Sequence, residues 1–197
     1  VCSNDRISMF SVDGFSYLGF FGSWGTGDGQ FDRPISICSD GTYLYVLDCY
    51  NNRIQKFTLA GQFVSKFGSQ GSGDNNFNLP YCIRYCDGKL YIADLINNRI
   101  KVHIASDFSY LDSFPMQQDA FGCWIDETNQ YLIAAGAYQI EIYKLSDKSL
   151  VNQKTFDTAG RSPVIVGNYL FRSDYYNHKI LKYSYPDLNS VGEYAPG

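Results

Sequence analysis

Asn51-Asn52-Arg53-Ile54 decides the fold of this chain, because the same motif returns as Asn97-Asn98-Arg99-Ile100 and, with one change, as Asn4-Asp5-Arg6-Ile7. The arginines at positions 6, 53 and 99 are 47 and 46 residues apart. A fixed period of about 20 to 50 residues is typical of solenoids and propellers. We therefore expect a repeat protein whose function is carried by a scaffold of like units.

The repetition extends upstream of this motif. The glycine-rich stretch from Gly68 to Asp74 restates the stretch from Gly22 to Asp28, and each is followed by a phenylalanine and then, three residues later, by a proline. Two fainter copies follow, in which Ile140 and Ile180 hold the place of Ile100 at intervals of 40 residues. The later units are shorter because they lack the glycine-rich connector.

Each unit reads as four short strands separated by turn signals. In the best-preserved unit the strands are predicted at Pro34 to Cys38, Tyr43 to Leu47, Arg53 to Phe57 and Gln62 to Phe67. The second run is apolar throughout, so both its faces should be covered, whereas the third alternates and is expected nearer an edge. The sequence thus predicts an all-β fold, a β-propeller of four-stranded antiparallel blades.

Composition agrees with a folded all-β chain. Of the 197 residues, 45% are hydrophobic and 17% are aromatic, and aromatic side chains pack well on pleated strands. The net charge is -4 and 18% of the residues are charged, which argues against electrostatic binding of nucleic acid or an anionic membrane. No apolar run is long enough for a membrane-spanning helix, so no membrane partner is expected.

The complete pattern resembles the NHL repeat family of β-propellers. It is carried by Phe21-Gly22, Gln30-Phe31, Pro34, Asp48 and Asn51-Asn52-Arg53-Ile54, and again by Phe67-Gly68, Phe77, Pro80, Asp94 and Asn97-Asn98-Arg99-Ile100. Residues 1–105 carry the resemblance strongly and the rest weakly. Ala135-Gly136 replaces the aspartate region of the fourth unit, and Lys179 replaces the arginine of the fifth.

The unit boundaries predict a single β-propeller domain over residues 1–197. It divides into a partial blade at 1–22 and four blades at 23–68, 69–114, 115–156 and 157–197, about four and a half blades in all. The resemblance implies a ring that commonly has six. We expect a fragment of a longer propeller, because Val1 and Cys2 begin in mid-motif, with Cys2 matching Cys49; a five-bladed ring and an open arc that associates with another copy are the alternatives.

The repeated polar residues favour a structural role. An aspartate at a strand end can accept hydrogen bonds from turn amides or from the arginine five residues on, so Asp48, Arg53, Asp94 and Arg99 are expected to hold turns. The glycine connector lacks the Lys-Ser/Thr ending of a phosphate loop. Its acidic residues are also sparser than those of a calcium loop.

The sequence points to no cofactor and no metal. Cys38, Cys82 and Cys123 lie in first strands near the crowded axis, where small apolar side chains are expected, and Cys86 ends such a strand. These are read as free core thiols, which weakly favours a reducing, cytoplasmic compartment. The only histidines are at positions 103 and 178.

Two histidines bear on enzymatic activity as well. Some NHL-like propellers are lyases that cleave hydroxyglycine-ended peptides with a histidine-held zinc, but two histidines cannot supply three ligands. No Gly-x-Ser-x-Gly elbow supports a Ser-His-Asp triad. The chain is therefore expected not to be an enzyme; a lyase or hydrolase with catalytic residues outside this chain is the minor alternative.

A binding module is the favoured function. The loops between second and third strands and the connectors between blades should share one face of the scaffold, where recognition residues usually lie. The candidate binding residues on that face are Arg33, Tyr50, Tyr81, Tyr138, Arg161 and Tyr176. A protein or peptide partner is expected. RNA is the alternative, disfavoured by the net charge, and open terminal blades would permit self-association.

Overall fold

A computed structural model describes residues 2–157, 159–160, 163–174 and 176–195, and within these ranges the chain forms strands and no helix. The described residues thus contain no helix that is long and apolar enough to cross a membrane. The strands form five repeated antiparallel sheets in which each strand pairs with the next along the chain. Four of these sheets are four-stranded, and the first has three strands.

The first two sheets are joined by the first glycine-rich connector. The first sheet contains β1 (Cys2–Ser3), β2 (Arg6–Phe10) and β3 (Tyr17–Phe21), and the connector contains the parallel pair β4 (Ser23–Trp24) and β5 (Gln30–Phe31). The second sheet contains β6 (Pro34–Ser39), β7 (Tyr43–Asp48), β8 (Arg53–Thr58) and β9 (Phe63–Phe67).

The remaining three sheets repeat the same order of strands. The third sheet contains β10 (Pro80–Cys86), β11 (Lys89–Asp94), β12 (Arg99–Ile104) and β13 (Tyr110–Pro115). The fourth contains β14 (Gly122–Asp126), β15 (Tyr131–Ala135), β16 (Gln139–Lys144) and β17 (Leu150–Thr155). The fifth contains β18 (Val164–Val166), β19 (Tyr169–Asp174), β20 (Lys179–Ser184) and β21 (Ser190–Tyr194).

The core consists of apolar clusters between successive sheets. Ile7, Phe31, Val46 and Phe57 lie between the first and second sheets, and Tyr45, Leu47, Ile54, Phe77, Ile83 and Ile92 lie between the second and third. Between the third and fourth lie Tyr91, Ala93, Ile100, Phe114, Cys123 and Leu132, and between the fourth and fifth lie Ile133, Ile140, Ile142, Leu170 and Tyr183. The sheets are thus stacked face to face in chain order.

The first strands of the second, third and fourth sheets lie next to one another in this stack. Strand β10 contacts β6 of the preceding sheet and β14 of the following sheet. A series of four-stranded meanders, packed face to face with first strands adjacent, fits the blade architecture of a β-propeller.

The prediction for the third strand of a unit is wrong. Strand β8 lies between β7 and β9 rather than at an edge, and Arg53 to Phe57 are all buried. Alternation misleads here because Gln55 and Lys56 are polar residues that find partners inside the stack. The prediction for the second strand is confirmed, since Tyr45 to Asp48 are completely buried.

The opening unit also differs from expectation. A partial blade was predicted at residues 1–22, and it contains three strands, because β1 pairs with β2. The backbone register places Cys2 opposite Ile7, as Leu47 lies opposite Ile54. Cys2 therefore holds the place of Leu47 rather than that of Cys49.

Candidate functional site

The Asp-Asn-Arg motif organises one end of each early sheet. Asp48, at the end of β7, accepts hydrogen bonds from the backbone N–H of Asp32 at 2.7 Å and from Asn51 Nδ2 at 2.9 Å. It also accepts hydrogen bonds from Arg53 Nε at 2.7 Å and from Gln55 Nε2 at 3.2 Å, and its own side chain is fully buried. Asp94 binds Asn78, Asn97 and Arg99 in the same way. The prediction that these residues hold turns is confirmed.

The arginine of the motif also holds the glycine-rich connector. Arg53 donates from Nη1 to the carbonyl of Thr26 at 2.7 Å, and from Nη2 to the carbonyls of Gly27 at 2.9 Å and Gln30 at 2.8 Å. The connector thus turns carbonyl oxygens toward a guanidinium, whereas a phosphate loop presents N–H groups to an anion. This geometry supports the sequence argument against a phosphate site.

The residue two positions after Arg53 or Arg99 also binds backbone carbonyls of the glycine-rich connector. Lys101 in β12 is fully buried, and its Nζ donates to the carbonyls of Gly73 at 2.7 Å and Asn76 at 2.8 Å, and also to that of Asp74. Burial lowers the pKa of Lys101 to about 8. In the second sheet Gln55 binds the carbonyl of Gln30 at 2.6 Å instead.

At the same end of the sheets as these turns, a line of side chains begins at the predicted residues Arg33 and Tyr50, which are both exposed. The Arg33 guanidinium lies over the Tyr50 ring, 5.0 Å from its centroid, and donates a hydrogen bond to the Tyr50 hydroxyl. This hydrogen bond raises the pKa of Arg33. Tyr81, at the start of β10, is near enough to act on the same guanidinium electrostatically, and its ring contacts Phe121 edge-on at 5.2 Å.

The backbone fixes Arg33 in this position. Arg33 has a φ of 56°, in the left-handed region that is uncommon for residues other than glycine. Its N–H donates to Asp5 Oδ1 of the first sheet at 2.8 Å. The guanidinium is thus presented by a rigid turn that two neighbouring sheets hold in place.

The other predicted binding residues lie further along the stack. Tyr138, in the β15–β16 turn, is 41% exposed, and Tyr176, in the β19–β20 turn, is 63% exposed. Their turns lie at the same end of the strands as that of Tyr50, as expected. Arg161 lies outside the described residues. The structure thus brings Arg33, Tyr50 and Tyr81 together, with Tyr138 and Tyr176 on later sheets of the same face.

Within the described ranges no group of three or more histidine, cysteine, aspartate or glutamate side chains could hold a metal ion. His103 is buried in β12, where Nδ1 lies 3.0 Å from the Phe108 carbonyl. His178 has a φ of 54° and takes the place that Asn52 and Asn98 hold in earlier turns, with φ of 52° in both. His178 thus replaces a turn asparagine.

The cysteines whose side chains the structure describes are buried in the core or packed against it. Cys38, Cys49, Cys82, Cys86 and Cys123 are free thiols, and all of them except Cys38 are buried. Cys82 and Cys123, from neighbouring first strands, place their sulfur atoms 4.0 Å apart. Burial raises the pKa of Cys38 to about 12 and that of Cys49 to about 11. Both side chains are therefore protonated thiols at neutral pH.

One repeated turn escaped the sequence analysis. It joins the third and fourth strands of the last three sheets, with an aspartate at positions 107, 147 and 187. In each copy the next residue has a positive φ, and its N–H donates to the carbonyl four residues earlier; these residues are Phe108, Lys148 and Leu188. The 40-residue spacing of the aspartates was the available signal. The turn lies at the end of the strands opposite Arg33 and Tyr50.

Comparison with protein-family models gives no match for this chain, and comparison with curated proteins gives none either.

Proposed function

We propose that this chain is part of an NHL-like β-propeller and acts as a non-catalytic scaffold that binds a protein or peptide. The binding surface is the line formed by the exposed residues Arg33 and Tyr50 and the half-buried residues Tyr81 and Phe121. The repeated four-stranded sheets and the connectors fastened by Asp-Asn-Arg motifs support the propeller assignment. The ordered arginine–tyrosine pair on the loop face is the observation that carries the binding function.

The chemistry of this line suits a peptide. Tyrosine and arginine contribute large contact areas and are enriched in binding hot spots. Because Arg33 is already fixed by Tyr50 and by its backbone bond to Asp5, little side-chain entropy remains to be lost on binding. The guanidinium has five N–H donors, so donors beyond the one used by Tyr50 can bind a peptide carbonyl or carboxylate.

RNA is the less favoured ligand class. Nucleic-acid binding depends on several lysines or arginines that neutralise phosphates. The chain has 16 basic and 20 acidic residues, and Arg33 is the one basic residue in the proposed line. An interface that depends on tyrosine contact area should respond weakly to salt.

The test is selection from a random peptide display library on the wild-type protein. Selected peptides should bind with at least tenfold lower affinity to Tyr50→Ala and Arg33→Ala, measured by calorimetry, because each change removes a central contact. Tyr17→Ala is the matched control, since Tyr17 is 56% exposed on the outer face of the first sheet. It should leave the affinity unchanged.

Two results would contradict the proposal. Selected peptides could bind the Arg33 and Tyr50 variants as well as they bind the wild type, which would place the binding surface elsewhere. A single-stranded RNA oligonucleotide could instead bind with an affinity that falls steeply between 50 and 200 mM salt, a range over which about 10³-fold losses accompany several phosphate contacts.

A further inference from the structure

A cavity of about 510 Å³ opens between the third and fourth sheets, at the end of the strands opposite the proposed binding line. This volume lies within the range of roughly 300–1,000 Å³ that is usual for ligand sites. Its apolar floor consists of Tyr91, Val102, Phe114 and Leu145. Its rim carries Asp87, Lys89, Asp112, Glu127, Gln130 and Lys148.

The repeated turn between third and fourth strands explains why the cavity exists. At the second–third sheet interface, the turn supplies Phe108, whose ring stacks on Phe67 at 4.3 Å and meets Tyr45 edge-on at 6.2 Å. At the fourth–fifth interface the same turn supplies Leu188, which is 3% exposed within the apolar cluster. At the third–fourth interface the equivalent residue is Lys148, which instead reaches outward to Asp112 at 2.9 Å.

A second filling residue is replaced in the same place. The first residue of the second strand is Tyr43 in the second sheet and Tyr131 in the fourth. Tyr131 packs edge-on against Tyr185 with ring centroids 6.4 Å apart. In the third sheet this position is Lys89, whose Nζ lies 3.5 Å from Asp87 and whose side chain is one-third exposed. At the third–fourth interface, lysines thus replace two residues that fill the space at the neighbouring interfaces.

We propose that this cavity binds an apolar side chain of a peptide, aromatic or branched aliphatic, which occupies the space that Phe108 and Leu188 fill at the neighbouring interfaces. The proposal goes beyond the function proposed above, because the cavity and the Arg33–Tyr50 line lie at opposite ends of the strands. The fold itself indicates the chemistry of the occupant, since phenylalanine and leucine are the residues that complete the two equivalent interfaces.

The surroundings of the cavity agree with such an occupant. Burial raises the pKa of Tyr91 to about 12, as expected for a floor that disfavours charge. At the rim, the ion pairs Lys148–Asp112 and Lys89–Asp87 offer donors and acceptors of both signs. These can bind the N–H and C=O groups that flank an inserted side chain.

Blocked amino acids are suitable probes. N-acetyl-L-phenylalaninamide and N-acetyl-L-leucinamide, titrated into the full chain, should give saturable NMR shifts of the side chains of Tyr91, Val102 and Leu145. A dissociation constant in the millimolar range is expected for ligands of this size, on the order of −0.3 kcal/mol per heavy atom. N-acetylglycinamide, which lacks the side chain, should shift none of these signals.

A filling variant makes the test decisive. Lys148→Phe places at position 148 the residue type that Phe108 provides at the second–third interface. Because the new ring should fill the cavity, the variant should have a higher melting temperature and bind the probes at least tenfold more weakly. Lys148→Leu copies Leu188 and serves as a second variant if the phenylalanine disturbs folding. Lys144→Phe is the matched control, because Lys144 is exposed before the same turn and does not line the cavity. It should keep the wild-type affinity.

The proposal is overturned if the probes shift no cavity residue at saturating concentration, or if both position-148 variants keep wild-type probe affinity. It is also overturned if the shifts map to Arg33 and Tyr50. The two proposals fail separately, since Tyr50→Ala should leave probe binding in the cavity intact and Lys148→Phe should leave peptide binding at Tyr50 intact.

Discussion

Single buried polar residues fasten the connectors to the sheets. Lys101 is completely buried, yet its ammonium lies among three backbone carbonyls and over the Phe77 ring, 4.8 Å from the centroid. A buried charge is tolerated when hydrogen bonds replace its lost hydration. Among the described residues, the carbonyls of Asp74 and Asn76 would lose their donor if this lysine were removed, whereas that of Gly73 would keep the N–H of Asn76 at 3.2 Å.

Lys101→Met should destabilise the chain strongly. The variant loses three hydrogen bonds from a charged donor, and such bonds are worth about 1.5–3 kcal/mol, so a loss of at least about 1.5 kcal/mol is expected in urea unfolding. Lys66→Met is the control, because Lys66 pairs with Asp28 at a surface where the two side chains are 44% and 53% exposed. Its loss should cost less than about 1 kcal/mol. Equal losses for the two variants would contradict the assigned role of Lys101.

His103 makes the free energy of unfolding depend on pH. Burial lowers the pKa of His103 from 6.5, and its Nε2 has no partner in the described part of the chain. The rings of Phe67 and Phe77 lie 5.0 and 5.8 Å away, and the neighbouring charges are those of Lys101, Arg99 and Asp74. Below about pH 6.5 the unfolded chain binds a proton that the folded chain does not, so acid favours unfolding.

The expected result is a loss of unfolding free energy as the pH falls from 7 to 5, by at most about 1.4 kcal/mol per pH unit from this one group. The variant His103→Gln, which cannot be protonated, should show a smaller slope in urea titrations over the same range. Identical slopes for variant and wild type would assign the acid sensitivity to other groups.

At the scale of elements, the connectors depend on close backbone approach. Gly68 begins the second connector with a φ of 100°, and a Cβ there would lie 2.8 Å from the Phe77 ring and 2.9 Å from the Asn52 carbonyl oxygen. The position is therefore closed to other residues both by its backbone conformation and by its neighbours.

Gly68→Ala should cost more stability than Gly88→Ala. At Gly88, in the β10–β11 hairpin, φ is 73° but an added Cβ would meet nothing within 4 Å, so the cost should be about 1 kcal/mol from backbone strain alone. Gly68→Ala adds a clash with backbone and should exceed that value by at least about 1 kcal/mol. Thermal unfolding of the two variants measures the difference, and equal costs would show that the connector moves to accommodate the methyl group.

The strands and motif turns were predictable because they depend on local signals. Alternation and turn residues located the four-strand unit, and the residue types of Asp48 and Arg53 indicated their structural role. The burial of β8 was not predictable, since Gln55 binds Gln30 in the connector and Lys56 lies over the Phe108 ring of the third sheet, both distant in the sequence. The contact of Arg33 with Tyr50 likewise depends on the positive φ of Arg33, which its residue type disfavours.

The whole molecule presents two unlike end faces. On the fifth sheet, Lys182 lies over the Tyr169 ring at 3.7 Å, as Lys56 lies over Tyr43 at 4.1 Å in the second sheet. The third sheet covers Lys56, leaving it 8% exposed, whereas Lys182 is half-buried and the Tyr169 ring beneath it is 39% exposed. The first sheet exposes Phe10, Tyr17 and Phe20 on its own outer face. Each end thus displays one half of the interface that repeats inside the stack.

Complementary end faces predict concentration-dependent self-association of this chain. Light scattering should give a mass above 22.3 kDa that rises with protein concentration. Ile180→Glu, at a 43% exposed position on the outer face of the fifth sheet, should shift the mass toward that of the monomer. Val64→Glu is the control, because Val64 is 44% exposed on the second sheet inside the stack. A constant monomer mass would contradict the prediction.

The fastening position two residues after each motif arginine has a further consequence for folding fidelity. Neighbouring units of similar sequence invite misassembly, in which a segment of one unit pairs with the wrong neighbour. Lys101 attracts carbonyl oxygens, whereas Glu141, its equivalent in β16, accepts a hydrogen bond from the N–H of Gln117 at 3.3 Å. A connector placed one sheet too far would turn its carbonyls toward a carboxylate. Because the residue at this position differs from sheet to sheet, each connector is favoured on its own sheet and disfavoured on the others.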